Sequence, residues 1–442
     1  MPSRPRQQQF CRYGFTVSGI RYAARESKVP EKFFVEHLPN GLTLLGQRME
    51  HVSSVAVALL APCGSAHDPD GLEGAATVGV EWRMRGAGDR NTRQLNDALD
   101  SLGCQHDESV LSEHVEFSMA LLSRNLPQAM PILADILLRP RLEDAGFEPC
   151  RALTLQDLAS LEDEPARKCN VLLRERFFPH PLGRNAYGRP ESLRAMTPRA
   201  LREHLQGNLS ADGAILSVAG DIDWNGFRDM ARRQFGDWPA RKRQPVTTTP
   251  RTPGMTHIKK ESAQEHIAIA HAAVPLGDKR SYAALMAEKV LSGGMSGRLF
   301  TEVREKRGLV YHVSSHYYSL KDYAAFFTYA GTRPDVAQQT LDVTVGELRR
   351  LAQGVEEDEM ARARTQLKSA LVMQGESTMA RANALAGDWH HLHRLRGLKE
   401  ISDAVDAVTA GEVIDYIRDF PATNFTAMVI GPQQLDLSAI NG

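Results

Sequence analysis

The chain has 442 residues, 42% hydrophobic and 24% charged, with a formal net charge of −1; one hydrophobic core rarely extends over that length, so two or more domains are expected. The near-neutral balance leaves no electrostatic footprint for nucleic acid or an anionic membrane, and no apolar run approaches the roughly 20 residues of a membrane-spanning helix. Cys11, Cys63, Cys104, Cys150 and Cys169 form no C-x2-C pair, which argues against a structural zinc or dithiol site and for buried or free thiols in a reducing compartment.

Residues 1–28 carry Arg4, Arg6, Arg12, Arg21, Arg25 and Lys28 against one acid, Glu26. Basic, acid-poor composition fits a disordered or targeting extension. The expected location is cytoplasmic, and this segment keeps mitochondrial-type targeting open. Residues 41–46 and 53–61 read as strands separated by a short turn. Residues 93–102 and 125–139 carry helical periodicity, with Leu95, Leu99 and Leu102 on one stripe. Another long helical pattern follows Leu142–Phe147 and ends at Glu164-Pro165. Met196-Thr197-Pro198 opens a helix, and the apolar strand Ala214–Ala219 closes at Gly220.

Residues 239–254 (PARKRQPVTTTPRTPG) hold four prolines and no helical or strand period, which is linker chemistry. They divide the chain into residues 29–238 and 255–442. The second part repeats the first. Val355–Met360 leads into a long helix ending near Ser377, Val408-Thr409-Ala410 opens another, and the strand Thr426–Ile430 closes at Gly431. Each feature lies about 210 residues beyond its counterpart, which predicts a duplication. Paired strands with intervening helices predict an α+β fold.

Several landmarks carry a specific resemblance: Asn40-Gly41-Leu42, Gly64-Ser65, Ser101-Leu102-Gly103, His180–Gly183, Gly220–Asp223, Phe235–Pro239, Leu291–Gly294, Arg298-Leu299-Phe300 and Arg307–Tyr311. Together, over about residues 30–435, they resemble the pitrilysin/insulinase family of zinc peptidases, particularly its short two-lobed, processing-peptidase-like members. The resemblance implies two homologous lobes, each a mostly antiparallel sheet covered by helices, closing around a chamber.

Active family members carry H-x-x-E-H on a first-lobe helix: two imidazoles bind zinc, and the glutamate takes a proton from the zinc-bound water. Alignment through Met84-Arg85-Gly86 puts Thr77 and Glu81 at the histidine positions and Val80 at the glutamate position; the distal ligand position falls at Asp157. Valine cannot accept a proton, and zinc prefers nitrogen or sulfur to two lone carboxylates. No metal is therefore expected on this chain. The family's Arg/Tyr pair, which reaches toward the zinc site from the second lobe, matches Arg307 and Tyr311. The resemblance then implies a non-catalytic subunit that binds unfolded peptide and pairs as a heterodimer with a zinc-motif homologue, the partner holding the zinc. The alternative is a structural or peptide-binding scaffold of the same family.

Other clusters read more plainly. His390 and His393 on one helix could share a metal, but a polar helix face is the expectation. Ser292–Gly297 lacks the G-K-[ST] ending of a phosphate loop and reads as a glycine-rich turn. His106-Asp107-Glu108 and Glu113-His114 are expected near the lost site.

Overall fold

The computed structural model describes residues 31–242 and 245–436; the segment 1–28 lies outside them. The first half runs β1 (Lys32–His37), β2 (Thr43–Arg48), β3 (Ser54–Ala61), α1 (Ala75–Arg83), the short hairpin β4 (Gly86–Ala87) and β5 (Arg90–Asn91), α2 (Thr92–Ser101), β6 (Gln105–Val110), β7 (Val115–Leu122), α3 (Leu126–Leu138), α4 (Asp144–Ser160), α5 (Pro165–Phe177), α6 (Pro190–Ala195), α7 (Pro198–Asn208), β8 (Ile215–Gly220) and α8 (Trp224–Phe235). The second half runs β9 (Met255–Lys259), β10 (Glu265–Ala273), α9 (Ser281–Ser292), β11 (Val310–Ser319), β12 (Ala324–Thr332), α10 (Ala337–Arg350), α11 (Glu357–Gly375), α12 (Thr378–Leu392), α13 (Leu398–Ala407), α14 (Ala410–Asp419) and β13 (Thr426–Gly431). Local chemistry sets many boundaries. Asn91 and Gln94 form a capping box at α2, whose Leu95 and Leu99 are buried. Thr197 caps α7 with Pro198 at its first position, and Thr409 with Glu412 boxes α14.

Two mixed sheets carry the fold, and their topologies coincide. The first has the order β1-β2-β8-β3-β7-β6; the second, read from its other edge, is β9-β13-β10-β12-β11. The pairs β2–β8 and β9–β13 are parallel and the others antiparallel. Removing β1 leaves the same strand order, directions and connectivity twice, the duplication expected from the repeat.

Both faces of each sheet are covered. Along β3, Val55, Val57 and Leu59 pack with α3 and α8 side chains in one core, while Ala56, Ala58 and Leu60 face the other way. That second face receives α12, from the opposite half, through Ala382, Leu385 and Ala386. Reciprocally, α5 of the first half lies on the second sheet, where Cys169 and Leu173 meet Ala268, Ala270, Ala325 and Met428. Small side chains on the receiving strands permit the close approach. Hydrogen bonds fix it: the Ser217 hydroxyl lies 3.1 Å from the Ala58 carbonyl oxygen and 2.8 Å from that of Ala382. Arg381 Nε donates to Gln47 Oε1 at 2.8 Å, and the Cys169 thiol reaches the Met428 carbonyl at 3.2 Å. Each half thus supplies one helix to the other half's sheet.

The proline-rich stretch between the halves has no regular structure where it is described, yet it is anchored. His180 and Thr249 exchange backbone hydrogen bonds of 2.9 and 2.8 Å, and Arg241 donates to the Gln206 carbonyl at 2.5 Å.

Candidate functional site

Helix α1 holds the three motif positions. Its N-terminus is fixed by Asp68, whose carboxylate accepts from the Gly74 and Ala76 amides at 2.9 and 3.0 Å. Burial pushes the Asp68 carboxyl up despite those bonds and the nearby His204. Gly79, inside the helix, faces α7: a Cβ there would lie 2.5 Å from Leu205 Cδ2. That contact explains a residue that otherwise weakens a helix by about 1 kcal/mol.

Thr77, half-buried, gives its hydroxyl hydrogen to the Ala186 carbonyl at 2.5 Å. Val80 is 7% exposed and belongs to the first-half core with Ala76, Val115 and Phe117. Glu81 is half-buried between β6 and α4. Burial raises its carboxyl, the neighbouring Glu108 and Asp157 add to that rise, and Arg85 one turn on opposes it. Burial likewise raises Asp157, against Arg167. Glu81, Asp157 and Glu108 therefore share one electrostatic neighbourhood. His106 Nδ1 lies 2.9 Å from the carboxylate of Glu108, two residues further along β6, which holds its imidazole above the usual range.

This donor set does not fit zinc. The residues present are a hydroxyl already hydrogen-bonded, an aliphatic side chain in the core and carboxylates shifted toward their neutral form, whereas zinc sites are built from histidine and cysteine. Among the described residues no group of three or more His, Cys, Asp or Glu is disposed to hold a metal. Val80, at the aligned glutamate position, has no group that could take a proton from water.

In the second half, Arg307 follows a π-helical segment, Phe300–Glu305. Its Nη1 donates to both the Glu302 carbonyl and the Glu302 carboxylate, each at 2.7 Å. Hydrogen bonds from Lys306 and Arg307 hold the Glu302 carboxyl down at about 2, so the ion pair persists at any ordinary pH. Tyr311 sits in a β-bulge: Val310 pairs with Thr332 and His312 with Gly331, leaving Tyr311 without a partner position. Bulges redirect a side chain out of the ladder, and Tyr311 is 64% exposed. Sequence reasoning missed both devices, because neither a π-helical turn nor a bulge follows from hydrophobic period. Among the described residues no hydrogen bond or ion pair joins Arg307 or Tyr311 to Thr77, Glu81 or Asp157.

The remaining candidates fall elsewhere. Glu113 and His114 lie at the junction of the halves rather than beside Glu81: Glu113 Oε2 is 3.2 Å from both His390 Nε2 and the Lys321 amide, and His114 packs edge-on against His390 with ring centroids 4.4 Å apart. His390 is thereby directed to Glu113, while His393 caps α12 in a left-handed conformation and points to Lys321. The two histidines do not converge, since the cap turns the second away. In the glycine-rich turn, Gln366 of α11 donates to the Gly293 carbonyl; a Cβ on Gly293 would meet both that side chain and the Lys289 carbonyl. No described helix is long and apolar enough to cross a membrane.

Comparison with known proteins places this geometry. Residues 45–188 match the family model described as insulinase (peptidase family M16), and residues 195–367 match the peptidase M16 inactive domain. An "uncharacterized zinc protease" of Rickettsia bellii is 26% identical over 411 residues, covering 92% of this chain and 99% of that one. One from Mycobacterium tuberculosis is 27% identical over 403 residues, covering 89% and 92%. Among solved structures, a peptidase M16 inactive domain from Pseudomonas fluorescens superimposes with a TM-score of 0.83 at 18% identity, covering 92% of this chain and all of that one. A protease from Helicobacter pylori gives 0.80 at 18% identity, covering 91% and 100%.

Proposed function

Since the chain belongs to the insulinase (M16) peptidase family, we propose that it is a non-catalytic subunit which supplies Arg307 and Tyr311 to a zinc-bearing homologue and helps it cut unfolded peptides. The observation that carries this reading is the contrast between the two halves. At the motif helix the base position is an aliphatic side chain in the core. In the second half, the half-buried Glu302 carboxylate fixes one edge of the Arg307 guanidinium, and a bulge turns the exposed Tyr311 out of the ladder. Arginine can grip a peptide carbonyl or carboxylate through paired N–H donors, and a tyrosine hydroxyl can donate to an oxyanion as it forms. Strand β6 lies at the edge of the first sheet, where an extended peptide can add as a further strand.

The test is cleavage of a quenched unfolded peptide by the purified chain, alone and mixed with a zinc-motif homologue of the same organism. Silence alone and chelator-sensitive cleavage in the mixture are expected. In the active mixture, Arg307→Ala or Tyr311→Phe should lower kcat by roughly 100-fold, the scale of a lost oxyanion donor, while gel filtration shows assembly unchanged. Chelator-sensitive cleavage by the chain alone would overturn the non-catalytic assignment. An assembled, active mixture indifferent to both substitutions would leave the chain a scaffold.

A further inference from the structure

The end of α12 meets the first half at the β6–β7 turn, and titratable groups crowd that junction. His390 Nε2 lies 3.2 Å from Glu113 Oε2. The His114 and His391 rings lie against His390, with centroids 4.4 and 4.7 Å from its own. The three imidazoles, Glu113 and Glu116 border one cavity of about 160 Å³. The other charged groups nearby have partners of their own. From the β11–β12 turn, Lys321 gives its amide to Glu113 and sets its ammonium 3.5 Å from His393, and Tyr318 accepts from Arg174 at 2.8 Å. Asp388 of α12 pairs with Arg396 at 2.5 Å. Strand β3 contributes the aliphatic Leu60, and β1 sets His37, bonded to Thr43, against Trp389. Glu113 is thus one carboxylate facing three imidazoles, and Glu116 is pushed toward its neutral form by burial and by Asp107.

Imidazole ordinarily takes a proton at about pH 6.5. A carboxylate at hydrogen-bond distance balances one imidazolium. A second, 4.4 or 4.7 Å from the first in a half-buried site, meets a like charge with little water to screen it. We propose that this junction is an acid-sensitive tie between the halves, in which protonation of a second imidazole parts the end of α12 from the β6–β7 turn. His391 embodies the conflict. Its Nδ1 is buried with no hydrogen-bond partner among the described residues, and burial, then His390, hold its imidazole down at about 4. Glu113 acts in the same direction: burial would raise its carboxyl, but the hydrogen bond with His390 holds it below the usual value. Both groups therefore bind protons more readily once the junction is released. Its stability is present at neutral pH and lost as pH falls from about 6.5 toward about 4. The tie is independent of the subunit role proposed above.

The experiment is backbone hydrogen exchange of the full-length chain at pH 7 and pH 5, corrected for intrinsic exchange chemistry and followed by mass spectrometry. An imidazole that binds its proton at about 4 in the closed junction and at about 6.5 once released favours release roughly 20-fold more at pH 5 than at pH 7. Residues 385–393 and 111–116 should therefore lose protection together by about that factor, and His391→Leu should remove most of the loss. Protection unchanged between the two pH values, a loss in one segment alone, or a loss that His391→Leu leaves in place overturns the proposal. Where that variant does not fold, exchange of the imidazole C2 hydrogens in the wild-type chain gives the titration of His391 directly. An inflection below the free value of about 6.5 supports the tie, and one at or above it overturns it.

Discussion

At the residue scale, position 80 determines what the motif helix can do. Val80 packs against Ala76, Val115 and Phe117 in the core, so restoring the family glutamate there would bury a carboxylate beside Glu81, in a neighbourhood already shared with Glu108 and Asp157. Val80→Glu should destabilise the chain by about 3 kcal/mol, the cost of an unpaired buried charge, read as a shift in urea midpoint. It should produce no peptidase activity, because neither Thr77 nor Glu81 supplies an imidazole. A variant as stable as the wild type would mean that the site is more open to water than its packing implies. The composition of this site was legible in the sequence: Thr77, Val80, Glu81 and Asp157 could be read by alignment, and what valine cannot do follows from its chemistry. The sequence was silent on Glu302 anchoring Arg307 and on the bulge at Tyr311, since both depend on backbone irregularities within otherwise regular patterns.

At the element scale, the notable feature is the exchange of α5 and α12. Strand β3 is apolar on both faces, a pattern that announces double coverage without saying what covers it. The second cover is α12, more than 300 residues along the chain. Leu385, 1% exposed, lies against Ala56, Ala58 and Ile215 of the other half. Leu385→Ala should cost roughly 3 kcal/mol as a core cavity. Hydrogen exchange should quicken in β3 and β8 as well as in α12. Faster exchange confined to α12 would show that the helix does not support the first sheet. Element boundaries were largely readable: the strands at 43–48 and 54–61 and the helices at 92–101 and 126–138 fall within two residues of expectation, because hydrophobic period and capping residues act locally. The α5/α12 exchange was not, because nothing in an amphipathic helix names the sheet it will meet.

At the scale of the whole molecule, the repeat and the exchange pull in different directions. Duplicated sheets suggest two units that could stand alone, but each leaves a face of Ala, Leu and Ile bare unless the other half covers it. Residues 31–238 expressed alone should therefore lack a cooperative thermal transition and bind a hydrophobic dye, and adding residues 255–442 should restore the transition. A sharp unfolding transition in the isolated half, measured by circular dichroism, would sink this expectation. The sequence by itself determined the duplication, the α+β class and the family, and it named the side chains that stand at the motif positions. These rest on residue identity and short-range period, which survive without a structure. Only the tertiary structure decided which helix covers which sheet and that Glu113 and His390 meet across the halves. Such contacts join residues far apart in sequence, and the burial that gives them their energetics exists only once the chain has closed on itself.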